Sequence, residues 1–330
     1  MTLPRSSGFW KSRRILITGA AGFIGSNLTD KLLEIGAEVI GLDNLFNGRI
    51  ENLEEALKNK KFQFHKGDIR DINFLLDILK DIDIIFHEAA FTSVPQSVKM
   101  PESCNDVNVN GTLNLLNAAR KKDVEKIIFA SSSSVYGDTP TLPKKEDMPR
   151  LPISPYGVSK LAGEAYMQAF HQVYGLKTIS LRYFNVFGPR QKDSPYSGVI
   201  AIWLGRIINN EDLIIFGDGE QSRDFTYIKD VVQANLMAAE YDVSGEILNV
   251  GAGSPITLND LAKLILNITD KKNLKLIYTD PRPGDILHSY ADISKVKKII
   301  GFQPEYDQEQ GLRDYFIWYC KKYNVNLKIN

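Results

Sequence analysis

The chain has 330 residues, 43% hydrophobic and 24% charged, and its 40 basic residues balance its 40 acidic residues. At about 150 residues per domain, this length suggests two domains or one large domain with an appendage, with a core that needs no metal or disulfide. A net charge of zero argues against a nucleic-acid partner, because such proteins usually carry a basic excess. Only two cysteines occur, Cys104 and Cys320, in no metal-ligand spacing, so we expect neither a disulfide scaffold nor a zinc site.

The amino-terminal segment gives no sign of export. Residues 1–14 contain no apolar run of signal-peptide length, and no later stretch approaches the roughly 18 apolar residues of a membrane-spanning helix. We therefore expect a cytoplasmic protein without a membrane partner. The pattern assigns no role to residues 1–13.

Short apolar runs alternate with helical patterns through the first half of the chain. The predicted strands are 15–18, 38–42, 62–66, 82–87, 126–130 and 177–182, and the predicted helices are 22–35, 72–79, 106–121 and 156–174. Apolar strands separated by helices are typical of a parallel sheet covered on both faces. The fold class is therefore predicted to be α/β, with a Rossmann-type doubly wound sheet.

The second half is less regular. Five prolines between residues 138 and 155 predict a surface loop, and glycine, proline and charged residues become commoner after residue 185. The segment 245–251 has the pattern of one more core strand. We therefore predict a first domain of residues 1–185 plus about 225–251, and a smaller α/β lobe of about 186–224 and 252–330.

A glycine-rich turn follows the first predicted strand. Gly19, Gly22 and Gly25 open a helix with Phe23 and Ile24, which is the spacing of a dinucleotide-binding turn. By itself the spacing also fits a turn that merely requires glycine. Asp43 ends the second strand, where a carboxylate accepts hydrogen bonds from an adenosine ribose and repels a 2′-phosphate, although alone it fits a helix cap.

Other cofactor contacts are expected at the ends of later strands. Asp68 follows the third strand, and Ala89 and Ala90 follow the fourth, where small residues let the backbone pass close to a ligand. Taken together, these positions predict that the cofactor is NAD.

Tyr156 and Lys160 lie four residues apart at the start of a predicted helix, so both project from one face. A free tyrosine has a pKa of about 10, and a base that works near neutral pH needs its anion stabilised by roughly 4 kcal/mol. A neighbouring ammonium group and a positive nicotinamide ring can provide this. The same spacing occurs by chance on helix surfaces, and the four serines 131–134 equally fit a polar turn.

Eight motifs appear in a fixed order along the chain: TGAAGFIG (18–25), HEAA (87–90), NVNGT (108–112), SSSSVYG (131–137), YGVSK (156–160), RYFNVFGPRQ (182–191), SRDFTYI (222–228) and RPGDILHSYADISK (282–295). Together they resemble the extended short-chain dehydrogenase/reductases, and most closely the UDP-hexose 4-epimerases. The likeness spans roughly residues 13 to 318. It implies further contacts to the cofactor from Asn44, Ile69, Asn108, Tyr156, Lys160 and Tyr183.

This resemblance implies a reaction. Tyr156 is implied to be the base, Lys160 to tune it and hold the nicotinamide ribose, and Ser132 to contact the sugar 4-oxygen with Ser133 as a second contact. The implied chemistry is oxidation at C4 onto tightly bound NAD, rotation of the 4-keto sugar, and return of the hydride to the other face, without a metal.

Related enzymes of the same family catalyse other reactions. Sugar-nucleotide 4,6-dehydratases carry an Asp-Glu pair where this chain has Ser133 and Ser134, and the related decarboxylases usually keep a glutamate at the second position. Elimination needs such an acid and base. Their absence favours epimerisation, and a redox-silent NAD-binding protein would not need the Tyr156–Lys160 pair.

The resemblance also implies a UDP-sugar site, formed largely by the second lobe. The expected substrate contacts are Ser93, Ser132, Asn185, Val199, Trp203, Ile215, Phe216, Arg223, Arg282, Asp285 and Ser289. The two arginines would pair with the diphosphate, Asp285 with the uridine ribose, and Val199 and Trp203 with the uridine pocket. A surface salt bridge is the ordinary alternative for each arginine, and core packing is the alternative for Trp203.

Ser289 bears on the choice of sugar. Epimerases restricted to UDP-glucose and UDP-galactose tend to have a tyrosine there, whereas those that accept acetamido sugars have a smaller residue. We therefore expect UDP-N-acetylglucosamine and UDP-N-acetylgalactosamine as substrates, with the plain hexoses or a UDP-uronic acid as alternatives. Segments 106–121 and 156–174 resemble the helix pair of a family dimer, so a homodimer is expected.

Overall fold

The protein is described by a computed structural model over residues 8–191, 198–281 and 286–330. Two predicted substrate contacts, Arg282 and Asp285, lie outside these residues. The strands are β1 Arg14–Thr18, β2 Glu38–Asp43, β3 Phe62–Lys66, β4 Ile84–His87, β5 Lys126–Ser132, β6 Lys177–Tyr183, β7 Asn185–Phe187, β8 Leu213–Phe216, β9 Ser222–Arg223, β10 Phe225–Tyr227, β11 Glu246–Val250, β12 Ile256–Thr257, β13 Leu276–Thr279 and β14 His288–Ser289.

The helices separate these strands and cover them. They are α1 Phe23–Glu34, α2 Ile72–Ile78, α3 Val94–Lys99, α4 Pro101–Asn105, α5 Gly111–Lys121, α6 Pro155–Tyr174, α7 Val199–Ile208, α8 Ile228–Glu240, α9 Leu258–Ile268, α10 Ser294–Ile300 and α11 Gln308–Tyr323. One π-helical turn, Asp106–Asn110, joins α4 to α5. The helix predicted at 106–121 therefore begins earlier, at Pro101, because proline is well tolerated in the first turn of a helix.

Seven parallel strands form the central sheet, in the order β11-β6-β5-β4-β1-β2-β3. The order reverses between β1 and β4, so their carboxyl ends diverge and leave a crevice, which is where ligands bind in such sheets. All six strands predicted in the first half lie in this sheet, and the segment predicted at 245–251 supplies its seventh strand. The predicted Rossmann-type fold is confirmed.

The sheet is buried on both faces. Ile15 and Ile17 of β1 pack into one core with α1 and α8, whereas Leu16 packs into the other core with α2, α5 and α6. Successive side chains of a strand point to opposite faces, so a continuous apolar run serves both cores. This burial holds the carboxyl edge of the sheet in place.

The five-proline segment is irregular, as predicted, but it is not entirely on the surface. Lys144 is only 1% exposed, and its backbone pairs with that of Ala291 in an isolated parallel bridge. The amide of Lys144 donates to the carbonyl of Tyr290 at 2.9 Å, and the amide of Asp292 donates back to Lys144 at 2.9 Å. The prolines exclude helices and long strands from this segment, but the segment still packs against residues 290–292.

Three smaller sheets lie outside the central one. β7 pairs with β10, β8 pairs with β13, and β9 lies between β12 and β14. The last of these places Arg223 directly opposite Ser289 in register. Among the described residues, no helix is long and apolar enough to cross a membrane.

Candidate active site

A cleft of about 1050 Å³ opens at the carboxyl edge of the central sheet. Its floor is the turn after β1, and its walls come from the loops after β2, β3 and β4, the end of β5 and the first turn of α6. It lies where the strand order reverses, as expected for a doubly wound sheet.

The turn that forms the floor of the cleft needs glycine at two positions, because a side chain at either one would clash with neighbouring backbone atoms. Gly19 has a φ of +72°, and a Cβ atom there would lie 2.8 Å from the backbone nitrogen of Ala89. A Cβ atom on Gly25 would lie 2.2 Å from the carbonyl oxygen of Gly19. Gly22 begins α1 without a side-chain cap from any described residue, so the first amides of the helix remain available to an anion.

Asp43 lies at the edge of the cleft and is 7% exposed. Its carboxylate accepts hydrogen bonds from the amides of Ala21 at 3.0 Å and Leu45 at 2.7 Å, and burial raises its pKa above the ordinary value. Each carboxylate oxygen can accept a further bond. The geometry therefore suits a ligand hydroxyl next to the glycine-rich turn.

Asp68 lines the cleft on the neighbouring strand β3 side and forms a small charged network there. Its carboxylate accepts hydrogen bonds from Arg70 at 2.8 and 2.9 Å and from the Asn44 amide at 2.9 Å. The bonds from Arg70 hold the pKa of Asp68 well below its ordinary value. The side chain is thus an anionic acceptor whose position is set before any ligand binds.

Most of the predicted cofactor residues share this cleft. Those that line it are Gly19, Gly22, Phe23, Ile24, Gly25, Asp43, Asn44, Asp68, Ile69, Ala89, Ala90, Tyr156 and Tyr183. Asn108 and Lys160 do not line the cleft but lie behind the residues that do. Asn108 accepts from the Phe91 amide at 2.7 Å and donates to the Ser159 hydroxyl at 2.8 Å, and thereby ties the loop after β4 to α6. The cradle of glycines and the two placed carboxylates fit a dinucleotide such as NAD.

Tyr156 lies in the first turn of α6, which Ser154 caps by accepting from the amide of Gly157. The amide of Tyr156 donates to the Ser97 hydroxyl at 3.1 Å. The Lys160 ammonium lies 5.9 Å from the centroid of the Tyr156 ring and donates to the carbonyl of Ala130 at 2.7 Å. The two side chains share one helix face, as the spacing predicts.

The protein's own residues do not lower the pKa of Tyr156, as a base that works near neutral pH would require. Burial raises the pKa of Tyr156 to about 12, partly offset by a hydrogen bond with Ser132. Burial also lowers the pKa of Lys160 to about 8, against the attraction of Glu88. The ammonium group by itself therefore does not bring Tyr156 toward neutrality, and further positive charge has to come from what binds in the cleft.

Ser132 ends β5 beside Tyr156, and Ser133 follows it on the cleft wall. The hydroxyl oxygen of Ser132 accepts from the Ser134 amide at 3.2 Å and from the Ser134 hydroxyl at 3.0 Å. Because these donors occupy its lone pairs, the proton of Ser132 is directed away from Ser134. The Ser132 proton is thus directed at the hydroxyl oxygen of Tyr156, the group with which it shares the cleft wall.

The predicted substrate residues lie in separate parts of the fold. Ser93 and Asn185 line the cleft, whereas Arg223 and Ser289 lie opposite each other on the small β9–β14 sheet. Arg223 donates to the carbonyls of Ser222 at 2.9 Å and Leu287 at 3.1 Å.

Four other predicted substrate contacts lie along α7 and β8. Val199 begins α7, and Phe216 ends β8 half-buried. Trp203 is 1% exposed, and its indole N–H donates to the Ile214 carbonyl at 3.0 Å. Ile215 is fully buried in the same core. None of the four belongs to the cleft lining described for this chain, and for Trp203 and Ile215 the structure shows core packing.

The cleft also contains residues that sequence reasoning did not single out. Glu88 belongs to the HEAA motif, and Arg190 belongs to the motif 182–191; both line the cleft. Tyr319 and Tyr323, one helical turn apart on α11, close its far end. The motifs could have drawn attention to Glu88 and Arg190, whereas nothing local in α11 indicates that its last turns reach the cleft.

Residues 15–251 match the sequence family described as the NAD dependent epimerase/dehydratase family. The UDP-glucose 4-epimerase of Mycolicibacterium smegmatis is 39% identical over 302 residues, which cover 91% of this chain and 96% of that protein. The UDP-N-acetylglucosamine 4-epimerase of Methanobrevibacter ruminantium, solved in complex with UDP-N-acetylmuramic acid, superposes with a TM-score of 0.91 at 42% identity, covering 94% of this chain and 99% of that one.

A second solved structure gives the same picture. The UDP-glucose 4-epimerase of Thermotoga maritima, with UDP-glucose, superposes with a TM-score of 0.89 at 40% identity, again covering 94% of this chain and 99% of that one. These likenesses extend over nearly the whole chain and therefore include the cleft.

Proposed function

This chain belongs to the NAD dependent epimerase/dehydratase family, and we propose that it interconverts the C4 epimers of UDP-N-acetylglucosamine and UDP-N-acetylgalactosamine. The broader statement, that it is an NAD-dependent UDP-sugar 4-epimerase, rests on relatives and solved structures that match nearly its full length. The observation that supports it most within the cleft is the placement of Tyr156 and Ser132 side by side, with Lys160 behind them.

Each of the three residues has a distinct task in this reaction. Tyr156 takes the proton of the sugar 4-hydroxyl as general base and returns it afterwards as general acid. Ser132 donates a hydrogen bond to the same sugar oxygen, and Lys160 stabilises the tyrosinate by its charge. Bound NAD supplies the acceptor for the C4 hydride and gives it back, so no net oxidation occurs.

The choice of epimerisation over elimination depends on positions 133 and 134. Both are serines, and the Ser134 hydroxyl is occupied by its bond to Ser132. An eliminating enzyme needs an acid and a base there to move a C5 proton and a C6 hydroxyl. A dehydratase would release water, and its product would be lighter than the substrate by about 18 Da. Mass spectrometry of the product therefore separates the two reactions.

The choice of sugar depends on Ser289. The residue is half-buried and lies in register opposite Arg223, the expected partner of the substrate diphosphate. A serine next to the diphosphate partner leaves volume for a 2-acetamido group, whereas a tyrosine would fill it. The solved structure of a UDP-N-acetylglucosamine 4-epimerase at 42% identity supports the same proposal.

A UDP-sugar panel tests this proposal. We expect turnover of the acetamido pair to exceed that of UDP-glucose and UDP-glucuronic acid, and Ser289→Tyr to lose the acetamido substrates selectively. Ser254→Tyr, which changes an exposed serine of the same lobe, is the matched control and is expected to change nothing. Equal loss for every sugar in Ser289→Tyr, or a preference for the uronic acid, would contradict the assignment.

We also propose a cytoplasmic homodimer whose subunits meet through α5 and α6. Val158 and Val173 of α6 are 53% and 70% exposed, and apolar side chains on an exposed helix face favour a helix partner. We further propose that the chain divides into a domain of residues 1–185 plus about 225–251 and a lobe of about 186–224 plus 252–330. Sedimentation that gives a monomer at micromolar concentration would contradict the dimer.

A further inference from the structure

Glu88 is a carboxyl group in the cleft for which the reaction above has no use. It follows β4 directly, and its amide donates to the carbonyl of Thr18 at 3.1 Å. Its backbone passes against the glycine-rich turn, since a Cβ atom on Gly19 would lie 2.9 Å from the carbonyl carbon of Glu88. Glu88 lines the same cleft as Tyr156 and Ser132.

Within the part of the chain that the structure describes, the carboxyl group of Glu88 has a single side-chain hydrogen bond, and its partner is neutral. The hydroxyl of Tyr183 donates to Glu88 Oε1 at 2.9 Å. The Tyr183 oxygen accepts from the amide nitrogen of Asn235 at 2.8 Å, and the Asn235 Oδ1 atom, at 3.0 Å, is a second acceptor for the tyrosine proton beside Glu88. Within the described residues, Glu88 forms no ion pair at 4.0 Å or less.

Lys160 acts electrostatically on Glu88, but it hydrogen-bonds elsewhere. The ammonium group of Lys160 attracts Glu88, but its hydrogen bond goes to the Ala130 carbonyl. A buried carboxylate without a paired cation is costly. Accordingly, burial raises the pKa of Glu88 to about 7, so the group is partly ionised at neutral pH.

We propose that Glu88 is the counter-charge for the oxidised nicotinamide ring and stabilises bound NAD⁺ relative to NADH. Hydride exchange with a sugar held by Tyr156 requires the nicotinamide in this part of the cleft. The oxidised ring carries a positive charge and the reduced ring carries none, so a fixed carboxylate attracts only the first. The resting enzyme then keeps its cofactor in the form that accepts hydride.

The proposal has a pH dependence with a defined sign. Glu88 is ionised above pH 7, so the preference for NAD⁺ is present there and is lost as the pH falls through 7. The other titratable groups that face Glu88 are Tyr183 of β6 and Tyr156 and Lys160 of α6. His87, its neighbour in the chain, stays neutral because burial lowers its pKa to about 3.

A nucleotide competition experiment tests the proposal without any sugar, and so independently of the proposed substrate. The full-length protein is equilibrated anaerobically with known mixtures of NAD⁺ and NADH, and the ratio of bound nucleotides is measured after rapid gel filtration at pH 5.5 to 8.5. Glu88→Gln removes the charge and keeps an acceptor for Tyr183, and Glu88→Asp keeps the charge. Glu34→Gln removes a charge from a side chain that is 68% exposed and serves as the matched control.

We expect Glu88→Gln to shift the ratio of bound NAD⁺ to bound NADH toward NADH by about tenfold at pH 8.5. This is the order of magnitude expected when one charge near a charged ligand is removed. The difference from the natural protein is expected to fade by pH 5.5, and Glu88→Asp and Glu34→Gln to keep the natural ratio. Because Glu88 raises the pKa of Lys160, the two proteins are also compared in a Lys160→Met background, in which this titration is absent. Equal ratios for Glu88→Gln and the natural protein at every pH would overturn the proposal. If Glu88→Gln does not fold, the ratio is measured in Lys160→Met, where Glu88 titrates without Lys160, and a ratio that is flat from pH 5.5 to 8.5 there would overturn the proposal as well.

Discussion

The buried ion pair between Arg182 and Glu164 offers the sharpest test of how the catalytic helix is held. Arg182 of β6 is 0% exposed and Glu164 of α6 is 1% exposed, and they form two hydrogen bonds of 2.8 Å. Ser131 of β5 also donates to Glu164 at 2.5 Å, and the guanidinium stacks 4.7 Å from the ring centroid of Tyr136. The pair therefore joins α6 to two strands behind the active site.

Glu164→Gln leaves the guanidinium of Arg182 buried without a counter-charge. Breaking a buried pair on one side typically costs about 3–5 kcal/mol of unfolding free energy, because the remaining charge has lost its solvation and its partner. Replacing both residues, as in Arg182→Met with Glu164→Leu, removes both charges and is expected to cost less than the single change.

Urea unfolding at pH 7 with saturating NAD, followed by circular dichroism, measures these differences. The matched control is Glu38→Gln in the surface pair Arg14–Glu38, whose side chains are 30% and 46% exposed and lie 3.0 Å apart. This control is expected to cost at most about 1 kcal/mol. A loss below about 1 kcal/mol in Glu164→Gln, or a double variant as unstable as the single one, would refute the reasoning.

Three further changes probe the cofactor site and the catalytic lysine. Gly25→Ala places a Cβ atom 2.2 Å from the Gly19 carbonyl oxygen and is expected to abolish NAD retention, measured by chromatography of the released nucleotide. Gly175→Ala is the control for backbone strain outside the cleft lining, because Gly175 has a φ of +71° but no atom within 4 Å of the added Cβ, and it should retain NAD. Asp43→Asn is expected to weaken the binding of NAD and to reduce the preference for NAD over NADP, both measured by calorimetric titration. Unchanged affinities for the two nucleotides would count against Asp43 as the partner of the adenosine ribose. Lys160→Met is expected to abolish epimerisation. In the natural protein, burial lowers the pKa of Lys160 from 10.5 to about 8, so the unfolding free energy should rise between those pH values, and this rise should be missing from the variant.

Much of the fold was predictable because its signals are local. The apolar strands of the central sheet are continuous runs that serve two cores, and the glycines at 19 and 25 are required by close backbone approaches. The pairing of Tyr156 with Lys160 follows from helix geometry alone. Each of these features can be read from a few neighbouring residues.

The remaining features depend on contacts between distant parts of the chain. Trp203 has the sequence context of a ligand contact, yet it packs in the core because α7 turns its indole toward β8. The far end of the cleft comes from Tyr319 and Tyr323, more than 100 residues after the other lining segments. The burial that raises the pKa of Tyr156 also depends on how separate elements assemble.

The measurement that tests the central claim most directly is proton NMR of UDP-N-acetylglucosamine incubated with the purified protein. We predict that the C4 epimer appears and reaches an equilibrium mixture without loss of mass or release of NADH, and that Tyr156→Phe still binds NAD but forms no epimer. A natural protein that leaves C4 unchanged in every UDP-sugar, or a Tyr156→Phe variant that epimerises normally, would contradict the account.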